Sequence, residues 1–331
     1  VSPAINLLED FKLEINRLSS KGKPFFFLLD FELEKPQVFR FDAAAAAGVY
    51  FNYRNITNHP EPVSRLDAGY RIIERVPVRR GEYSEAFKIV QDNLHAGNTY
   101  LINLTFPTEV SIEAGLSDIY ENSTAKYRLL FKDEFVQFSP EPFVRIEDGR
   151  IYSFPMKGTI DASIPDAEQN ILDDEKESWE HNTIVDLIRN DLSMVSEKVR
   201  VNRFRYIERI ISREKELLQV SSEITGVLSE DWRASLGDII LKLLPAGSIS
   251  GAPKKKTLEV IREAEHGKRG YYTGISGVFD GNNLDTAVNI RFIEKQEDKY
   301  YFRSGGGITS SSSMMSEYRE LIDKVNVPSN S

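Results

Sequence analysis

Lys157 stands in the segment Pro155-Met156-Lys157-Gly158-Thr159. A glycine beside a lysine lets the backbone approach a ligand closely, and a lysine sheltered from water can shed its proton and attack as a nucleophile. Upstream, Ser139-Pro140-Glu141-Pro142 holds a carboxylate between two prolines, at the start of a strand leading toward Lys157. A glutamate fixed in an apolar setting keeps its proton to higher pH and can serve as an acid. Glu177 and Glu180 are three residues apart and share one helix face, and Glu317 and Glu320 repeat that spacing. Two such faces brought together suit a hard divalent cation, magnesium above all, with water completing its shell. Gly305-Gly306-Gly307 precedes the serine run 310–313 and could turn successive N–H groups toward an anion. No Gly-Lys-Ser/Thr follows, so it is not a P-loop. Taken singly, each feature also reads as something bland: a turn lysine, a loop glutamate, two solvated helix faces, a flexible loop. His59, His95, His181 and His266 have no metal-like spacing and are read as no ligands.

Hydrophobic periodicity predicts the elements that must carry these groups. Apolar residues near helical spacing over 5–18 predict a helix stopped at Gly22, and 25–31 reads as a buried strand. The alanine run 43–47 reads as a helix end or linker edge, and 52–69 as a turn-rich passage. A helix from Ser84 to Gly97 precedes a strand over 100–106, and short strands follow at 135–138, 143–146 and 150–154. Helices are predicted at 174–192, 236–244, 257–264 and 315–325, and a meander of strands at 274–280, 285–294 and 299–303. Strand meanders interrupted by long helices predict an α+β class rather than a regular βαβ repeat.

Composition narrows the function classes. With 331 residues, 40% hydrophobic and 28% charged, the chain can bury a large core. A net charge of -9 argues against a nucleic-acid backbone as partner, though an anionic small molecule needs only a few local cations. There is no cysteine, hence no disulfide, thiolate metal site or thiol nucleophile, which fits a reducing cytoplasm. No apolar run is long enough to cross a bilayer, and Val1-Ser2-Pro3-Ala4-Ile5 does not resemble a signal peptide; a soluble, cytoplasmic protein is expected.

The ordered set of motifs resembles the chorismate-utilising enzyme family, which includes anthranilate, aminodeoxychorismate, isochorismate and salicylate synthases. The resemblance covers about residues 84–327 and rests on Ala96-Gly97-Asn98-Thr99-Tyr100-Leu101, Ser139-Pro140-Glu141, Pro155-Met156-Lys157-Gly158-Thr159, Glu180-His181-Asn182, Ile188-Arg189-Asn190-Asp191-Leu192, Pro245-Ala246-Gly247-Ser248-Ile249-Ser250-Gly251-Ala252-Pro253-Lys254, Ile290-Arg291 and Glu317-Tyr318-Arg319-Glu320. It implies a single large α+β unit with two facing antiparallel sheets surrounded by helices. A short portion 1–83 would contribute to the same fold, 84–327 would be the catalytic region and 328–331 a tail. It further implies Mg2+ on Glu180 and Glu317, with Glu177 and Glu320 close by, gripping one substrate carboxylate. Gly158, Thr159, Tyr272, Ile290, Arg291, Gly305, Gly306, Gly307 and Lys324 would bind the rest of the substrate, the arginine fork matching a carboxylate.

Two positions point to a subgroup. Leu101 stands where isochorismate and salicylate synthases carry a lysine that activates water, and Lys157 stands where anthranilate synthases carry alanine. Lys157 is the hallmark of aminodeoxychorismate synthases, which supply p-aminobenzoate for folate. The implied chemistry has Glu141 protonate the leaving C4 hydroxyl of chorismate while neutral Lys157 attacks C2; ammonia then adds at C4 and expels the lysine. Glutamine hydrolysis of the usual kind needs a thiol, so ammonia would come from solution or a separate glutamine amidotransferase subunit. The alternative is an anthranilate synthase large subunit with an incidental lysine. Three departures stand out. Ser311-Ser312-Ser313-Met314 replaces an acidic segment and implies a more mobile loop near the metal. Gln219 stands where a substrate-contacting histidine is usual. Leu7-Leu8-Glu9-Asp10 only partly echoes a tryptophan-binding motif.

Overall fold

A computed structural model describes residues 7–54, 56–59, 72–211 and 216–325. The expected tail and most of the turn-rich passage lie outside the described residues.

Two antiparallel sheets, nine strands each among the described residues, face one another with helices outside. In spatial order the first contains Met156–Asp161, Glu216–Val227, Arg150–Ser153, Pro142–Glu147, Leu284–Val288, Ile275–Phe279, Phe25–Leu29 and Gln37–Arg40, with Glu197–Ile211 paired to Glu216–Val227. The second contains Gly251–Ala252, Leu101–Ile112, Lys299–Ile308, Phe292–Gln296, Phe135–Ser139, Tyr127–Phe131, Val49–Tyr53 and Ile56–Thr57, with Ile72–Val76 paired to Leu101–Ile112.

The strand Phe25–Leu29 shows why the sheets face each other. All five residues are fully buried, so both of its faces must be covered. Phe25, Phe27 and Leu29 pack with Phe11, Ile15 and Leu18 of the helix Leu7–Ser20 and with Trp232. Phe26 and Leu28 point the other way, toward Phe51 and Tyr53 of the second sheet, and Phe26 stacks on Phe51 with ring centroids 4.5 Å apart. Each such side chain contributes about 1.5–3 kcal/mol of burial. The helix Glu175–Ser193 turns Ile184, Val185, Ile188 and Leu192 into the core on the outer side of the first sheet. Asp174 starts that helix, its carboxylate accepting from the Glu177 N–H at 2.9 Å.

Several sequence expectations are corrected. The strand expected over 285–294 is two strands in different sheets, Leu284–Val288 and Phe292–Gln296, and the chain crosses between them at Asn289, Ile290 and Arg291. Arg291 has φ 52°, the kink that ends one ladder and starts the next. An alternating pattern fixes which side chains are buried but not which neighbour a strand pairs with. Gly305, Gly306 and Gly307 form no loop; they lie in the strand Lys299–Ile308, opposite Thr105, Leu104 and Asn103. The strand begun near residue 100 runs to Ile112, and the long pair Glu197–Ile211 and Glu216–Val227 was not anticipated.

Candidate active site

Between the sheets lies a small, partly open cleft of about 220 Å³. It brings together Lys157, Glu141, Tyr272, Ile290, Arg291, Gly305, Gly306, Gly307 and Lys324, all expected from the sequence. Leu101, Asn103 and Ser248 also line it, and the sequence alone assigns them no binding role. Gly158, Thr159, Gln219 and the four glutamates lie outside that lining; Gln219 pairs with Thr159 in the sheet.

Lys157 is aimed by an irregularity in its strand. The register shifts between Lys157 and Thr159, and Gly158 has φ 74°, a conformation that costs a residue with a Cβ. A Cβ at Gly158 would also lie 3.3 Å from Glu177 Oε2, so the bare backbone lets the glutamate-bearing helix close on the lysine strand. The side chain of Lys157 is 28% exposed and its Nζ lies 3.6 Å from Glu180 Oε2.

Glu141 is fixed through its backbone. Its N–H donates to Ser139 Oγ at 3.1 Å and its carbonyl accepts from the Val288 N–H at 3.1 Å. Its Oε1 accepts from Ser248 Oγ at 2.7 Å. Burial pushes the Glu141 carboxyl above the usual glutamate range, against the opposing influence of the Ser248 bond and the Lys157 charge. Ser248 sits in the short helix Gly247–Ser250, within the Pro245 to Lys254 motif. The motif is stapled to the helix Glu175–Ser193 by Lys254, whose Nζ contacts Asp191 Oδ1 at 2.8 Å and donates to Leu243 O at 2.9 Å. Its place between two motif glycines was the available sequence signal for Ser248.

The far wall is cationic. Lys324 Nζ donates to Gly305 O at 2.8 Å and pairs with Glu320 at 2.7 Å, while Arg291 Nη1 donates to Lys324 O at 3.2 Å. Tyr272 is buried, which pushes its hydroxyl up to about 12, so it remains a neutral donor near pH 7. The glycines act here by lacking side chains. A Cβ at Gly306 would lie 3.2 Å from Glu317 Oε2, and one at Gly307 would lie 3.3 Å from Leu101 Cδ1 and 3.8 Å from Lys157 Nζ.

Gly307→Ala is therefore expected to keep the strand, where φ is not left-handed, and to leave the melting temperature close to that of the parent, with Leu101 shifting slightly to admit the methyl. Substrate turnover should fall about tenfold, since the methyl occupies space beside the amine. Thermal melting and steady-state kinetics on one preparation check both halves; unchanged turnover would exclude Gly307 from the binding surface.

Among the described residues no three carboxylate or imidazole groups converge as a ready-made cage. Magnesium keeps several waters and is commonly bound through one or two carboxylates plus substrate, so a cage is not required. Bare backbone at Gly158 and Gly306 gives Glu177, Glu317 and Glu320 their room, and Glu180 touches Lys157. An all-oxygen donor set is the kind that this ion takes. Ser312 Oγ donates to Glu317 Oε1 at 2.8 Å and accepts from the Thr309 N–H at 3.2 Å, and Gln91 donates to Thr309 O at 2.8 Å. The serine hydroxyls of this loop thus supply both donors and acceptors that link it to Glu317.

The profile of the chorismate binding enzyme family matches residues 43–330. An "Uncharacterized PabA-like protein" of Haemophilus influenzae is 49% identical over 328 residues, spanning 98% of each chain. Aminodeoxychorismate synthase component 1 of Salmonella typhimurium is 30% identical over 318 residues, spanning 85% of this chain and 68% of its own. The crystal structure of anthranilate synthase component I from Streptococcus pneumoniae superposes with a TM-score of 0.65 at 25% identity, covering 78% of this chain and 59% of that one. No helix among the described residues is long and apolar enough to cross a membrane.

Proposed function

The chain belongs to the chorismate-binding enzyme family, and we propose that within it the protein aminates chorismate to 4-amino-4-deoxychorismate, the reaction of an aminodeoxychorismate synthase component I. The observation that carries this reading is the presence of an amine and a proton-retaining carboxyl, Lys157 and Glu141, on one cleft between the sheets.

Glu141 gives its proton to the C4 hydroxyl, which leaves as water. Lys157 forms a bond to C2 as the two ring double bonds shift, and the nitrogen's surplus proton returns to Glu141. Ammonia then adds at C4, the double bonds shift back, the C2–N bond breaks, and a proton from the new ammonium passes to the departing lysine nitrogen. Arg291, Lys324 and Tyr272 hold the substrate's carboxylates and enolpyruvyl arm. Leu101 beside the amine presents no group able to activate water, which favours a lysine-mediated over a water-mediated route. Mg2+ bound by Glu180 and Glu317, with Glu177 and Glu320 beside them, would supply positive charge for a substrate carboxylate.

Ammonia must be delivered, because no cysteine is present to hydrolyse glutamine through a thiol. A separate glutamine amidotransferase subunit is the partner we assign. Purified protein given chorismate, magnesium and an ammonium salt should form a product with the mass of aminodeoxychorismate. EDTA should stop the reaction, and glutamine should not replace ammonium. Fluorescent anthranilate with release of pyruvate would overturn the reading in favour of an anthranilate synthase, and efficient use of glutamine alone would remove the need for a partner.

A further inference from the structure

Among the described residues, the largest fully buried polar side chain bears on the cleft without entering it. Arg269 is 1% exposed, and its guanidinium spans the ground behind the site. Nε donates to Glu265 Oε2 at 2.9 Å, and Nη2 donates to Glu265 Oε1 at 2.6 Å. The same fork reaches two main-chain carbonyls, Nη1 to Ile249 O at 2.9 Å and Nη2 to Asn103 O at 2.5 Å. Nη1 also lies 3.3 Å from Thr273 Oγ1, and the ring of Phe31 covers the group. Glu265 Oε1 in turn accepts from the Thr105 N–H at 2.8 Å and from its hydroxyl at 3.1 Å.

The two clamped carbonyls belong to the two sides of the chemistry. Ile249 follows Ser248, whose hydroxyl holds Glu141. Asn103 pairs with Gly307, the residue facing the Lys157 amine, and Thr105 pairs with Gly305. A planar guanidinium fixes both carbonyls at one spacing, which a flexible ammonium cannot do.

We propose that Arg269, oriented by Glu265, is a positioning residue that sets the placement of the acid Glu141 relative to the amine Lys157 by locking the Ile249 and Asn103 carbonyls together. The proposal rests on the reading of Glu141 and Lys157 as acid and nucleophile. Arg269→Lys keeps the charge beside Glu265 and loses the fork. Its kcat for chorismate amination should fall about a hundredfold, the loss expected for a small misplacement of reacting groups. KM should change little. The basic limb of its pH profile should move upward, because a loosened Ser248 bond no longer holds the Glu141 carboxyl down.

Arg269→Met combined with Glu265→Gln removes both charges, leaves no unpaired ion buried, and keeps an amide oxygen for Thr105, so it should fold while showing the same kinetic defect. Circular dichroism and thermal melting report folding separately. A folded variant of either kind with parental kcat and an unmoved pH limb would overturn the proposal. Lys157→Ala in the same assay separates the two failures. Full activity there sinks the underlying reading, whereas an inactive Lys157→Ala beside normal Arg269 variants sinks the positioning role alone.

Discussion

Lys157→Ala should lose at least about a thousandfold in chorismate amination with ammonium salts, a rise in barrier of about 4 kcal/mol. The side chain is partly exposed and pairs with Glu180 at 3.6 Å, so its removal should leave stability nearly unchanged. A large kinetic effect with an intact fold is what a covalent participant predicts and a structural lysine does not. Mass spectrometry of the parent enzyme quenched during turnover should find a chorismate-derived adduct on the peptide containing Lys157, absent from the variant. A Lys157→Ala protein with parental turnover would remove the amine from the mechanism and leave direct attack by ammonia as the route.

Glu141→Gln should lower kcat by about a hundredfold to ten-thousandfold, the usual range for a positioned proton donor, because the amide cannot protonate a leaving hydroxyl. The carboxyl of Glu141 is pushed up by burial, so the parent enzyme should lose activity on the basic side as that proton leaves, and the variant should lack this limb. The stability consequence has a definite sign. The folded carboxyl releases its proton at higher pH than the unfolded one, so Glu141 favours the fold below the unfolded pKa. That advantage fades as pH rises through the raised folded value. Glu141→Gln removes this slope, and its melting temperature should gain on that of the parent between mildly acidic and neutral pH. A variant with the parental pH dependence in both activity and melting would show that another group is the acid.

The sequence was most legible where chemistry and local pattern coincide. The Pro155 to Thr159 segment, the Ser-Pro-Glu triplet and the glycine triplet pointed to residues that line one cleft. The helix predicted over 174–192 is the helix Glu175–Ser193, because a capping aspartate and an apolar stripe are both written within a few turns. Less legible were the features that depend on a distant neighbour. The glycine triplet read as a loop because three glycines weaken any local preference, yet pairing with the strand Leu101–Ile112 holds it extended. Ser248 went unassigned because a serine in a turn-rich motif is ordinary until its hydroxyl is found 2.7 Å from Glu141, a residue 107 positions away.

By itself the sequence named the candidate reactive groups, their order, the helix faces that carry paired glutamates, and the lack of a cysteine among its 331 residues. These follow from side-chain identity and from periods of two and 3.6 residues, which are local properties. Tertiary structure alone decided that the chain changes sheets at Asn289, Ile290 and Arg291, that bare glycine backbone faces the lysine, and that one buried guanidinium spans Ile249 and Asn103. Those outcomes depend on which strands pair and which faces meet. Burial and hydrogen bonding across more than a hundred residues select them, and no short window of sequence contains both partners.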